Sequence, residues 1–540
     1  MQITQSYTQA SIAKSNSKGT HFDFSAELSR KSVSLHAMIK HSLSYAKLML
    51  ALRRVVISDL ANKEQDHSRY QQWVQNEYYK ELPTYLANIA PIQKKLLEQK
   101  KELSEKHRQL VKENQPYRTA MWNAQRNYRS YIWKHEKEKA YLLDPVISVH
   151  PDSVIFEAFS IDESTYARVS VPSENLETFG DVNYGTTNID FSQGLADEIY
   201  RVRSYRPAWL KVAQHQVKLS TSSGAKVEKK IDLPESWVKG FLQVQSAAAL
   251  NGQEVRLSAA TLREILGYIE QKKAKQGSRS LRFVLKKGER PTIMIDPWGI
   301  EVKEQEHIFD GDAEGEIRIW GRRRLLILTD ALPVIDQVNV KLLGTGMPSF
   351  WSVQLDGHQL DLGLSGWTSN DWARKSSFDL LAGQMIKDQK VVDQTEKWLK
   401  NKLAGKTKDL AKALETDDAT AGAALQQLCK EGKAMYDPNK GMYRWRDLFP
   451  VGVRLEQKDD QHQYAKELIA NNKVKKLIDK SENQLKHYEF EVEGKKVFRT
   501  IILQDSDGRI KGASCTCGFY KHNKLRKGPC AHIAASLMSI

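Results

Sequence analysis

Residues 512–540, GASCTCGFYKHNKLRKGPCAHIAASLMSI, decide how the end of this chain is built. They hold three of its four cysteines, as Cys515-Thr516-Cys517 and, after a twelve-residue gap, Cys530-Ala531-His532. Three thiolates and an imidazole are the donor set of a tetrahedral site and suit Zn2+ best. On an extended segment residues i and i+2 point to one side, so Cys515 and Cys517 can face the same ion. The intervening segment is polar, basic and closed by Gly528-Pro529, and it reads as a loop. Ile533, Leu537 and Ile540 then recur at helical spacing and give a short helix one apolar face. So small a unit cannot bury enough apolar area alone, and a metal would staple its hairpin to the helix start. A disulfide within C-x-C would be strained, and it would leave Cys530 and His532 without a role.

The spacing C-x-C-x12-C-x-H resembles the SWIM zinc finger. The likeness extends to the flanks, with a strand at 497–501, a turn at 505–508 and a helix start at AHIAA, and covers roughly residues 495–538. It implies Cys515, Cys517, Cys530 and His532 as the ligands of one structural Zn2+. It also implies association with DNA and with proteins, often beside helicase or ATPase modules. Four protein donors leave no open coordination position, so the ion is expected to be structural and not catalytic.

The whole chain sets the frame. Its 540 residues are enough for three or four domains, and 40% hydrophobic with 27% charged residues is an ordinary globular mixture. No apolar run reaches the length of a membrane span, and the polar N-terminus lacks the apolar centre of a signal peptide. Three of four cysteines assigned to a metal point to a reducing cytoplasm, with Cys429 as a small buried hydrophobe. The net charge of +16, from 82 Lys and Arg against 66 Asp and Glu, favours a polyanionic partner.

Taken in order, the sequence predicts a multidomain α+β chain. Residues 1–30 read as a flexible arm and 31–143 as a helical region, in which Leu35, Ile39, Leu43 and Met49 mark one helix. Paired lysines at 94–95 and 100–101 and aromatics between Tyr117 and Trp133 read better as a solvated face and a core than as a stacking surface for nucleic acid. Residues 144–226 form a mixed region that the sequence leaves undefined. Residues 227–385 read as a strand-rich α+β domain, with a capped helix from Ser258 and strands at 281–285, 292–296, 300–304, 316–320, 325–329, 338–343 and 350–355. Asp356-Gly357 is a hairpin signal. The cluster Trp320-Gly321-Arg322-Arg323-Arg324 is expected at a solvated strand boundary.

Residues 386–455 carry three helices and a turn-rich hairpin, which resembles a winged helix. Lys433, Lys440, Arg444 and Arg446 are expected at its third-helix end and wing, as phosphate contacts. A helical linker at 462–490 leads to a zinc-stapled ββα unit at 491–540, whose loop offers Lys521, Lys524, Arg526 and Lys527 to phosphates. Gly405-Lys406-Thr407 is no phosphate-binding loop, because Lys400 stands where its first glycine belongs. No motif of known catalysis, small-molecule substrate or membrane attachment is recognised. The expectation is therefore a non-enzymatic zinc-binding adaptor that contacts DNA and recruits proteins, an ATPase encoded elsewhere among them. The alternative is a protein-only scaffold subunit with the finger as docking module.

Overall fold

Alternation of apolar and polar residues in runs such as 337–342 and 359–362 places several strands of the central sheet. The computed structural model describes most of residues 145–448 and 460–540, residues 33–58, three short segments before residue 26, and scattered helical positions between 103 and 127. The paired lysines and the aromatics from Tyr117 to Trp133 lie outside the described residues. Residues 63–142 form a unit of their own, and the positions described there are helical. The remainder, residues 1–62 and 143–540, forms a second unit.

The centre of that larger unit is an eight-stranded antiparallel sheet. Its order is Gln253–Leu257, Gln337–Leu342, Ser349–Leu355, His358–Leu364, Thr165–Pro172, Ser153–Phe159, Val146–Val149 and Gly185–Asn188. Val338, Val340 and Val353 alternate with polar neighbours and are buried, as a period of two requires. Asp356 and Gly357, at φ 46° and 78°, turn the hairpin between its central strands, the left-handed pair that Asp-Gly favours. Strand Ser153–Phe159 is buried at every position because both faces are covered. Phe156 meets Tyr45 of the helix Ser42–Ile57 on one side, and Phe159 meets Trp237 and Phe241 of the helix Glu235–Ala249 on the other.

Several expectations give way here to non-local pairing. The arm at 1–30 contains strands Ile12–Asn16 and Gly19–Ser25, and the latter lies parallel to Ala208–Ala213 in a five-stranded sheet. Leu35 and Ile39 belong to a strand of the same sheet, so the helical region begins only at Ser42. The boundary expected near residue 226 is crossed by the eight-stranded sheet, which draws strands from both sides of it. LLILT is not a strand but part of a 3-10 helix, Arg322–Asp330. Arg322 and Arg324 are buried there, donating to the carbonyl oxygens of Asp296 and of Ser164 and Gly366. Buried guanidinium groups need hydrogen-bond partners, so Arg322 and Arg324 act as structural pins while Arg323 between them is exposed. The linker also differs: after the helix Asp460–Ala470 the chain forms strands Val474–Glu482 and Leu485–Glu493.

Between the eight-stranded sheet and the C-terminal unit lies a module of three helices, Gln389–Lys402, Thr407–Leu414 and Asp418–Lys430. A three-stranded sheet of Ala404–Gly405, Met442–Trp445 and Ala434–Asp437 completes it. Asp388 and Asp417 cap the first and third helices through the backbone N–H groups of Lys390 and Thr420, both at 2.9 Å. Leu399, Leu410, Leu425, Leu428 and Tyr443 form its core, and the buried Cys429 joins them, its thiol pushed up to about 12 by burial.

Candidate metal centre and basic surfaces

The C-terminal unit is a four-stranded antiparallel sheet in the order Val474–Glu482, Leu485–Glu493, Val497–Gln504, Ile510–Cys515. Tyr488, Phe490, Val492 and Ile502 share its buried face, against which the helix Ala531–Met538 lays Ile533 and Leu537. Cys515 ends the last strand, Cys517 caps the short helix Gly518–Asn523, and Cys530 and His532 open the final helix. That short helix replaces part of the loop expected between the pairs.

The four side chains converge. Their donor atoms all lie within 4.8 Å of one another, the three cysteines are buried and His532 half-buried, and Cys515 Sγ stands 4.0 Å from His532 Nδ1. The backbone N–H of Cys517 donates to Cys515 Sγ and that of Tyr520 to Cys517 Sγ, each at 3.4 Å. Such N–H···S bonds favour the thiolate form and orient a ligand for its metal. Phe498 packs on the His532 ring at 4.4 Å, and a side chain at Gly494 would come within 3.2 Å of His532 Nε2. Gln461 accepts from the Ala531 N–H at 2.8 Å and fixes the start of the ligand-bearing helix. Three thiols and one imidazole fit a single structural Zn2+, with Cys515, Cys517, Cys530 and His532 as the residues that hold it.

The basic residues divide. Lys521, Lys524 and Lys527 are exposed on the zinc loop, and Lys440 is exposed at the hairpin turn. Arg526 instead directs its guanidinium to the carbonyl oxygens of Asn523 and His522, at 2.9 and 2.7 Å, and ties the loop together. Lys433 is held by Glu396 at 2.6 Å and Glu431 at 3.1 Å. Burial works against its charge, but the two carboxylates prevail and raise its pKa.

Arg444 and Arg446 correct the expectation of a basic wing. Both are buried, and both pair with acidic groups. Arg444 joins Asp152 of the eight-stranded sheet and Asp437 of its own hairpin, while Arg168 reaches Asp437 at 2.8 Å. Arg446 reaches Glu157 at 2.6 Å and lies over the Phe241 ring at 4.4 Å. The third helix is covered too, from the other side. A Cβ at Gly422 would lie 2.9 Å from the Asp507 carbonyl oxygen in the zinc unit's 505–508 turn. Tyr443 Oη donates to that same oxygen at 3.2 Å, and Arg509 stacks on Tyr436 at 3.8 Å. No sequence signal marked these arginines as buried, because Asp152 and Glu157, which bind them from the eight-stranded sheet's side, lie nearly three hundred residues away.

Comparisons with known proteins bear on parts of the chain. No curated protein matches it. Among solved structures it is similar to the proliferating cellular nuclear antigen of Entamoeba histolytica, at 12% identity over 41% of this chain and 89% of that one, with a TM-score of 0.30. The PCNA2–PCNA3 complex of Sulfolobus tokodaii (10% identity, TM-score 0.29) and PCNA of Thermococcus kodakaraensis (11%, 0.27) match over the same shares of 41% and 89%. At that distance the likeness says nothing of function. Residues 498–540 match the SWIM zinc finger model, and this C-terminal segment is a SWIM zinc finger.

Proposed function

We propose that the chain is a non-enzymatic, zinc-stabilised scaffold subunit of a multi-protein, ATPase-associated assembly, with its SWIM finger as a docking module. The ATPase association comes from the company SWIM fingers keep. We read residues 386–455 as a winged-helix-like module, from its order of helix, short strand, two helices and two strands. One observation carries the choice of scaffold over DNA reader. The third helix is closed by the zinc unit at Gly422, and the wing arginines Arg444 and Arg446 are engaged by Asp152, Asp437 and Glu157. A module used this way is an internal joint, with its base-reading surface already occupied. The finger meanwhile exposes apolar side chains on its sheet, Val497 at 56% and Ile501 at 38%, which suit a protein contact.

The test is affinity purification of the tagged full chain from its native cells, run in parallel with and without nuclease digestion. A co-purifying protein that is lost from Val497→Glu/Ile501→Glu, with zinc retained and with little change on raising salt, supports docking. Retention of nucleic acid alone would overturn it. A second reading, phosphate contact by the zinc loop, is favoured by the exposure of Lys521, Lys524 and Lys527.

A further inference from the structure

The three-helix module carries a charged surface that neither reading uses. Between Lys397 and Lys412 the chain has six lysines, Lys397, Lys400, Lys402, Lys406, Lys408 and Lys412, against the single acid Asp409. All six are exposed. They flank one tight joint. Leu403, at φ 64°, ends the first helix, Ala404–Gly405 pairs with the hairpin strand, and Lys406 precedes the second helix. Gly405 keeps the joint close, since a Cβ there would lie 2.2 Å from the Trp398 ring. The end of the first helix and the start of the second, which carry Lys400, Lys402, Lys406 and Lys408, are therefore held together.

Of the neighbouring acids, Glu396 is paired with a lysine outside this set, while Asp393, Asp409 and the exposed Glu415 keep their charge and are outnumbered two to one by the six lysines. Glu396 binds Lys433 at 2.6 Å, Asp393 accepts from Gln389 at 2.8 Å, and Asp409 accepts the Lys406 backbone N–H at 3.3 Å. None of the six lysines forms an ion pair among the described residues, and Lys400 lies over the Trp445 ring at 5.5 Å. None of the large exposed hydrophobic residues falls between 389 and 418.

We infer that the lysines around this joint bind the phosphate backbone of nucleic acid, without reading sequence. Six unpaired point charges around a fixed joint meet the requirement for neutralising a polyanion. Without exposed apolar anchors the cluster suits neither membrane insertion nor a protein hot spot. Lysine, unlike arginine, brings no planar fork for bidentate base recognition, so specificity is not expected. The inference is independent of partner docking through the finger, and it places nucleic acid on the first two helices instead of the covered third.

The experiment measures binding of the full zinc-loaded chain to labelled duplex DNA, single-stranded DNA and single-stranded RNA of equal length, by fluorescence anisotropy across a salt series. Wild type should bind at least one of them with a steep salt dependence. Changing all six lysines to glutamine should weaken binding at low salt at least tenfold. It should also flatten the log–log salt slope by roughly 3 to 5, since each phosphate contact contributes about 0.9. Changing them all to arginine should restore both. A Lys521→Gln/Lys524→Gln/Lys527→Gln chain serves as the comparison. A loss confined to that variant would overturn this site and leave the zinc-loop reading standing. The inference also fails if the glutamine variant, with unchanged circular dichroism and zinc content, binds like wild type. It fails equally if wild type binds polyglutamate or anionic vesicles but no nucleic acid at low salt.

Discussion

The Arg444 guanidinium holds the Asp152 carboxylate with two parallel hydrogen bonds, Nη1–Oδ1 at 2.6 Å and Nη2–Oδ2 at 2.7 Å, across 292 residues of chain. Its Nε donates to Asp437 at 2.8 Å, so one side chain joins the hairpin of the three-helix module to the eight-stranded sheet. When Arg444 is removed, Asp437 keeps Arg168 and the Asp152 side chain is 43% exposed, so the cost is that of lost charge-assisted hydrogen bonds, about 1–3 kcal/mol. Arg444→Ala should therefore lower unfolding free energy by about that amount in urea denaturation. A change within the usual surface range of about 0.5 kcal/mol would contradict the joint described here.

The same joint should be acid-sensitive in two stages. His150, buried beside Arg444, Asp152, Asp437 and Arg168, has its pKa lowered from 6.5 to about 3 by burial and by the Arg444 charge. A folded pKa below the unfolded one means that the unfolded chain takes up the proton first. Stability from this group is thus present above pH 6.5 and lost as pH falls toward 3. Asp437 is lowered from 3.8 to about 2: burial opposes this, but the Arg168 and Arg444 charges overcome it. Its contribution, about 2 kcal/mol, is present above pH 4 and lost as pH falls to 2. Melting temperatures measured from pH 7 to pH 2 should decline over both windows. His150→Leu should flatten the upper window and spare the lower.

Thiol counting should resolve the metal site. Zinc-bound thiolates are shielded, and Cys429 is buried with its thiol pushed up to about 12. Native protein at pH 8 should react at almost no cysteine. After chelation the three ligands Cys515, Cys517 and Cys530 should react, and Cys429 only after denaturation. Reaction of Cys429 in the native, zinc-loaded chain would show that its surroundings are open.

Chelation should also loosen the finger. Zinc supplies roughly 10–16 kcal/mol to isolated fingers. His532→Ala should accordingly speed hydrogen exchange through Val497–Gln504 and Ala531–Met538, while the strand Ser349–Leu355 stays protected. Equal loss in both regions would mean that the finger does not open separately.

At the contact between helix and zinc unit, Gly422→Leu should be disruptive, because even a Cβ meets the Asp507 carbonyl oxygen at 2.9 Å. Overpacking of this kind costs about 1–3 kcal/mol. Exchange at residues 505–509 should rise, with zinc content unchanged. Unaltered exchange there would place the third helix in the open.

Local chemistry made much of this molecule legible. Alternating runs such as Gln337–Leu342 and Ser349–Leu355, punctuated by Asp356-Gly357, form strands because a half-buried sheet demands a period of two. Asp417 announces the third helix of the small module because a carboxylate can satisfy an orphan N–H. The stretches at 325–329, expected as a strand, and 473–478, expected in a helical linker, misled for the same reason in reverse. Short apolar runs do not distinguish helix from strand, and tertiary partners settled both.

By itself, the sequence determined the zinc ligands. Cys515, Cys517, Cys530 and His532 are near neighbours in the chain, and coordination chemistry restricts what such a set can hold. Only the tertiary structure decided which basic residues face solvent. Arg444 and Arg446 look no different in sequence from Lys440 or Lys408, yet the arginines lie against Asp152 and Glu157 while the lysines stand free. A residue's type states its charge. Whether that charge meets water or a buried carboxylate depends on strands folded from the far end of the chain.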